Sequence, residues 1–266
     1  MKALFLSLIT CCMTAIVWSQ DRIFTYTYQS NVLNQTQKEL EVWTTVLEGK
    51  EDYYRAIQTR VEYEIGLGNQ LQVAFYLNTK QTSYLDTANG VIALEPAEIS
   101  FSNEWKYKFS DAQADEIGFA GYTELTVAAD ELEWELKAIF DKRIGQTLHA
   151  LNLIYEPEWK KTVTNGKVAT ENELKYAMHY GFSYQVTKNW NLGSELLCRS
   201  VYFKESKQTH SALFAGPTLA YNKGNFWLNL TAMPQWTNLN HSTVDRPQNL
   251  TEFTKWESRL IFSYAF

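Results

Sequence analysis

Cysteine is scarce in this sequence of 266 residues, with three in all, two of them adjacent as Cys11 and Cys12. Proline and glycine are also few, at 5 and 12, which excludes collagen-like and Pro/Gly-rich disordered chains. Neither sign of charge dominates: 24 Lys and Arg stand against 30 Asp and Glu, a net charge of -6. That balance gives no electrostatic reason to expect nucleic acid. After the first twenty residues there is no long apolar run, and the mean hydropathy of -0.33 excludes a polytopic helical membrane protein. Aromatic residues, by contrast, reach 15%, far too many for disorder. The length suits one large β domain or two ordinary ones.

The N-terminus sets the expected compartment. Met1-Lys2 precedes an apolar stretch from Ala3 to Trp18, followed by Ser19-Gln20-Asp21. One positive charge, a short apolar core and small residues at Val17 and Ser19 predict a secretory signal peptide over 1–19, cut after Ser19. A lipoprotein acylated at Cys11 or Cys12 fails on position, because most of the apolar core would follow the cut. Cleavage removes Lys2 and takes the net charge to -7. It leaves Cys198 as the one thiol, so no intrachain disulfide can form. Something else must hold the exported chain together.

A period of two supplies it. In 131–140, Leu132, Trp134, Leu136, Ala138 and Phe140 alternate with Glu131, Glu133, Glu135 and Lys137. A helix would scatter those charges, whereas a strand gathers them on one face. The same pattern runs through 97–109 and 172–184. About twelve strands are predicted, near 37–47, 53–65, 71–79, 97–109, 116–128, 131–140, 147–157, 172–185, 190–203, 210–222, 225–236 and 253–266. Most reach the roughly 9–11 residues a tilted strand needs to cross a bilayer. Short turns at 66–70, 110–115, 141–146, 186–189 and 223–224 alternate with connections that include longer polar stretches at 80–96, 158–171 and 237–252. The aromatics Tyr53, Tyr63, Phe109, Phe140, Tyr184, Tyr221 and Tyr264 fall near strand ends, as interfacial girdles do.

The sequence ends on Leu260, Phe262, Tyr264 and Phe266, alternating with Arg259, Ile261, Ser263 and Ala265. Here it resembles the Gram-negative outer-membrane β-barrel proteins, whose last strand carries alternating apolar residues up to a C-terminal Phe. The resemblance is one of class and covers the whole mature chain in pattern. It implies an all-β fold, a transmembrane antiparallel up-and-down β-barrel of about twelve strands over 37–266, with short periplasmic turns and longer external loops. It also implies an integral place in the bacterial outer membrane, contact with its lipid, and recognition of Leu260, Phe262, Tyr264 and Phe266 by the barrel assembly machinery. The competing soluble reading is a secreted β-sandwich, which the strand lengths and aromatic ends oppose.

If the apolar face meets lipid, the alternate residues line the lumen. The inward acids are then Glu39, Glu41, Glu62, Glu64, Glu98, Glu104, Glu124, Glu131, Glu133, Glu135, Glu173, Glu195 and Glu257, and the inward bases Arg60, Lys106, Lys108, Lys137, Lys175, Arg199 and Arg259. Such a lumen leans acidic. One reading is a passive or gated porin-like channel for small polar or cationic solutes. The other is a closed structural or docking barrel filled by salt-bridged side chains. Residues 20–36 stay open between a lumen constriction and a lead-in to the first strand, since Phe24, Tyr26 and Tyr28 alternate while Asn31, Asn34, Gln35 and Thr36 break the pattern.

An enzyme is the rival class, because some outer-membrane barrels modify lipids with a His and a Ser on the outer wall. None of His149, His179, His210 and His241 begins a His-x-Ser, so no catalytic residue is assigned. No His/Cys/Asp cluster has metal-ligand spacing, and Asp86, Asp130 and Asp245 stand singly in loops, so neither a metal nor a cofactor is expected. Cys198 is expected to face lipid beside Leu196. Docking through the loops at 158–171 and 237–252 is a third class.

Overall fold

The computed structural model describes residues 22–266 apart from residue 165; the expected leader, 1–19, lies outside the described residues. The chain forms thirteen strands: β1 (Lys38–Glu48), β2 (Tyr54–Gly68), β3 (Leu71–Asp86), β4 (Val91–Leu94), β5 (Glu98–Ser110), β6 (Gly118–Ala128), β7 (Glu131–Ile144), β8 (Thr147–Thr164), β9 (Lys167–Gln185), β10 (Trp190–Phe203), β11 (Gln208–Lys223), β12 (Phe226–Asn238) and β13 (Trp256–Ala265). All pairings are antiparallel. Twelve strands close into a barrel, because β1 bonds to β2 on one side and to β13 on the other, and β2 continues through β3 and β5 round to β12. The four-residue β4 is appended to the upper end of β3, with Ser83 opposite Leu94. Closure leaves no open edge, which is what lets a sheet cross hydrocarbon.

The alternation in sequence becomes an inside and an outside. On β7, Leu132 and Trp134 are exposed on the outer wall, while Glu131, Glu133 and Glu135 turn inward. At the short-turn end the outer aromatics form a belt. Phe109 stacks on Phe119 at 5.0 Å and Phe119 on Phe140 at 4.9 Å, and Trp190–Tyr221, Phe226–Phe262 and Tyr63–Phe266 continue it. Leu260, Phe262, Tyr264 and Phe266 all face outward.

Two boundaries differ from the sequence reading. Much of 80–96 and 158–171 is strand rather than loop: β3 runs on to Asp86, and β8 and β9 continue as a hairpin to Thr164 and Lys167. Polarity alone did not end these strands, since the β-branched Thr162, Val163, Val168 and Thr170 still pair in register. The connection 239–255 is a true loop, and it folds back into the mouth. The Asn249 N–H donates to Gln235 Oε1 at 2.6 Å, Phe253 meets Phe214 edge-on at 6.1 Å, and Arg246 pairs with Glu51 at 2.7 Å.

Candidate functional site: the lumen, its plug and its vestibule

Residues 22–33 run inside the barrel, and nearly all are buried. This segment has no strand partner, so its backbone groups must be satisfied by side chains of the wall. One carboxylate, Glu195 on β10, accepts the backbone N–H groups of Thr25 (2.9 Å), Tyr26 (2.8 Å) and Thr27 (2.7 Å). It also accepts the hydroxyls of Thr25 and Thr231. On β8, Asn152 accepts from the Tyr28 N–H at 2.6 Å and donates to the Tyr28 carbonyl at 2.9 Å. Asp141 takes the Ser30 N–H, Gln72 takes the Leu33 N–H, and Asn229 donates to the Arg22 carbonyl. Five strands, β3, β7, β8, β10 and β12, thus hold one short, irregular plug.

Apolar contacts complete the packing of the segment. Ile23 and Phe24 pack with Leu148, Ala150 and Ala220, while Tyr26 packs with Leu197, Phe214 and Met233. Tyr28 meets Tyr122 edge-on at 5.3 Å. Gly181 lets Phe24 lie against the wall, since a Cβ there would sit 2.9 Å from three ring atoms. Gly181→Leu is therefore expected to force Phe24 out of its seat, at a cost of about 1–3 kcal/mol. Limited proteolysis of the folded barrel checks this, with cleavage within 22–33 appearing in the variant and not in the parent. Equal protection of the two would mean that Phe24 is not what seats the segment.

Beyond the plug, towards the long-loop end, lies a cavity of about 1110 Å³. Tyr26 and Tyr28 form part of its floor. Among the described residues eleven acids and seven bases line it, so its field leans negative. The charges are separated across it. On the wall built by β7, β8 and β9, Glu131 pairs with Lys160 (3.0 Å) and Glu135 with Lys137 (2.5 Å). Lys175 is shared by Glu133 (3.6 Å), Glu156 (2.9 Å) and Glu158. Glu173 lies opposite Glu158 in register. The facing wall, from β10 round to β2, carries arginines set against aromatic rings. Arg259 lies 3.8 Å over Tyr26, Arg60 lies 4.3 Å over Tyr76, and Arg199 pairs with Glu257 at 2.8 Å. Arg60 also reaches Glu124 at 3.2 Å.

The structure divides the predicted lumen charges into four groups. Arg60, Glu124, Glu131, Glu133, Glu135, Lys137, Glu173, Lys175, Arg199 and Arg259 line the vestibule. Glu195 and Glu257 lie buried at the level of the plug, where Glu257 also accepts the Tyr26 hydroxyl at 3.1 Å. Glu62, Glu64, Glu104 and Lys106 are buried in the short-turn half. Lys108 sits at the short-turn mouth, 2.8 Å from Asp111, and its ammonium holds the Asp111 carboxyl below the usual carboxylate range. Sequence reasoning missed Glu156, within the predicted strand, and Glu158 and Lys160, which continue the inward face of β8 past Pro157. It also missed the neutral Asn152 and Gln72, which carry no signal beyond an inward position. Cys198 is half-buried beside the inward-facing Leu197 and Arg199.

Among the described residues, two clusters of carboxylates are close enough to share a metal ion: Glu39, Glu41 and Glu64, and Glu131, Glu133 and Glu158. In each, ligand oxygens lie within 4.8 Å of one another. The second is already ion-paired, with Lys160 on Glu131 and Lys175 on Glu133 and Glu158.

A family model described as "Family of unknown function (DUF6662)" matches residues 17–266. No curated protein matches the sequence. Among solved structures, the COG4313 outer membrane channel from Pseudomonas putida F1 superposes with a TM-score of 0.64 at 12% identity, over 89% of this chain and 98% of that one. The beta domain of the Bordetella autotransporter BrkA gives 0.56 at 9% identity, over 88% and 100%. The NanC porin gives 0.50 at 10% identity, over 85% and 98%. At these identities the likeness is one of fold, that of outer-membrane β-barrels.

Proposed function

We propose that this chain, which belongs to the Family of unknown function (DUF6662), is a gated outer-membrane channel for small polar solutes with a preference for cations. Residues 22–33 are its gate, and residues 1–19 are the signal peptide that exports it. The observation that carries this reading is a charged vestibule of about 1110 Å³ that ends on a plug of the chain's own making. A barrel meant only to be filled needs no such space, because side chains alone can fill one of this size. The long-loop end then faces outward and the short turns face the periplasm. Lipid meets the aromatic outer wall, and Leu260, Phe262, Tyr264 and Phe266 offer the assembly machinery its terminal strand. The channel-type neighbours support the reading at the level of fold.

A second reading keeps the barrel permanently closed, as a structural or docking element, and the hydrogen bonding of the plug favours it. Planar-bilayer recording separates the two. The mature chain and a chain lacking residues 22–30 are refolded, checked for heat-modifiable migration, and recorded in a salt gradient. Rare small steps from the first and frequent steps several-fold larger from the second are expected. Silence from both, with both folded, would leave the closed barrel.

A further inference from the structure

On the short-turn side of the plug, β1 and β2 place four carboxylates face to face. Glu39 is directly opposite Glu64, and Glu41 directly opposite Glu62. All four are buried. Like charges in direct cross-strand register repel, and burial raises that cost. Other opposed acids in this barrel have cations interposed: Arg60 serves Glu124, Lys137 serves Glu135, and Lys175 serves Glu133 and Glu158. The quartet is served less well. Arg22 approaches Glu41 at 3.7 Å, and Lys106 lines the same small space. Four carboxylates against these two cations leave an excess of two negative charges.

Further observations point to a ligand there. Glu62 is fully buried, and no donor group of the wall or the plug reaches its carboxylate oxygens, whose polar neighbour is the carboxyl of Glu64. Its register sets it directly opposite Glu41 and next to Glu64 on the same face of β2, at the edge of the group formed by Glu39, Glu41 and Glu64. One ligand oxygen each from Glu39, Glu41 and Glu64 falls within 4.8 Å of the others, the spread expected around one cation with metal–oxygen bonds of about 2.3–2.6 Å. Next to them is a void of about 10 Å³, close to the size of one water or ion. Donors behind the carboxylates hold two of them in place. Trp227 Nε1 and the Ser263 hydroxyl both donate to Glu39, and Trp43 Nε1 donates to Glu41 at 2.6 Å. Such outer donors are what orient ligands around a bound metal.

We infer that Glu39, Glu41 and Glu64, with Glu62 supporting Glu64 beside them, form a binding site for a hard divalent cation of the calcium type. An all-oxygen, carboxylate-rich set suits such an ion and disfavours softer metals. Arg22, Gln29 and Asn31 of the plug line the same void, so an ion bound there ties the plug to β1 and β2. The site stands on its own and does not depend on whether the barrel conducts.

The test is luminescence of Tb³⁺ bound to the folded, full-length mature protein in detergent, excited through tryptophan. Trp43 and Trp227 touch the proposed ligands and serve as sensitisers. A saturable signal competed by Ca²⁺ is expected. In Glu62→Gln/Glu64→Gln the apparent affinity should fall by about 100-fold or more. In Glu131→Gln/Glu133→Gln, which disables the other carboxylate group, the signal should persist. Emission unchanged in the first variant, or lost in the second, would overturn the assignment. So would the absence of any Ca²⁺-competed signal from folded protein, which would mean that the quartet shares protons instead. Should the double variant not fold, the parent protein still decides. Its melting temperature should rise with added Ca²⁺ and fall with a chelator, and indifference to both would sink the site.

Discussion

Glu195→Ala is expected to raise the open fraction of the channel by roughly two to three and a half orders of magnitude while leaving the barrel folded. The carboxylate accepts three consecutive backbone N–H groups of the plug and two hydroxyls, at 2.7 to 3.1 Å. Those N–H groups have no strand partner to fall back on. Charge-assisted bonds are the stronger kind, and each buried donor left unmade costs about 1–3 kcal/mol. The losses overlap, and about 3–5 kcal/mol is the usual cost of removing one partner from a buried charged arrangement. At about 1.4 kcal/mol per tenfold, the ratio of seated to unseated plug falls by the stated factor.

The barrel itself should survive, because the main-chain pairings of Glu195 with Gly181 and Gly216 do not involve its side chain. Heat-modifiable migration provides that control, and single-channel recording reads the open fraction. Glu195→Gln keeps an oxygen acceptor without the charge, so it should fall between the parent and the alanine variant. Parent-like recordings from Glu195→Ala, beside large steps from the chain lacking 22–30, would assign the seal to Ile23, Phe24, Tyr26 and Tyr28 instead.

The barrel was legible in the sequence because lipid and lumen impose opposite demands on neighbouring residues. Leu132 and Trp134 against Glu131 and Glu133 is a contrast that survives without knowing any partner. The plug was not legible for the converse reason. Thr25 and Thr27 carry no charge to mark a face, and what fixes them is Glu195, some 170 residues away, with Asn152 fixing Tyr28 from 124 residues away. Glu158 and Lys160 were lost because the predicted strand stops at Pro157, a residue that reads as the end of a strand. In the structure that proline falls where the β7–β8 ladder skips from Glu133–Glu158 to Leu136–Tyr155, so its missing N–H costs no ladder bond there. The opposed carboxylates of β1 and β2 depend on register, which composition does not encode. An expectation of no metal drawn from His/Cys/Asp spacing and loop aspartates therefore had no means of detecting glutamates brought together across two strands.

The separated charges of the vestibule give the second large effect. Glu131, Glu133 and Glu135 stand on one strand face, each within reach of a lysine: Lys160, Lys175 and Lys137. Converting all three to glutamine keeps their volume and frees those lysines. The acids lining the vestibule then fall from eleven to eight against seven bases, and the balance nearly closes. On a background lacking residues 22–30, so that current is not limited by the plug, the parent is expected to favour cations. The triple variant should lose that preference, with the cation-to-anion permeability ratio falling by about an order of magnitude at low salt. Reversal potentials in a salt gradient measure it. Because the Debye length shrinks from about 30 Å at 0.01 M to about 3 Å at 1 M, the difference between the two proteins should largely vanish at high salt. A ratio unchanged at low salt would mean that ions pass along the opposite wall, beside Arg60, Arg199 and Arg259. Neutralising those arginines should then be what moves the reversal potential.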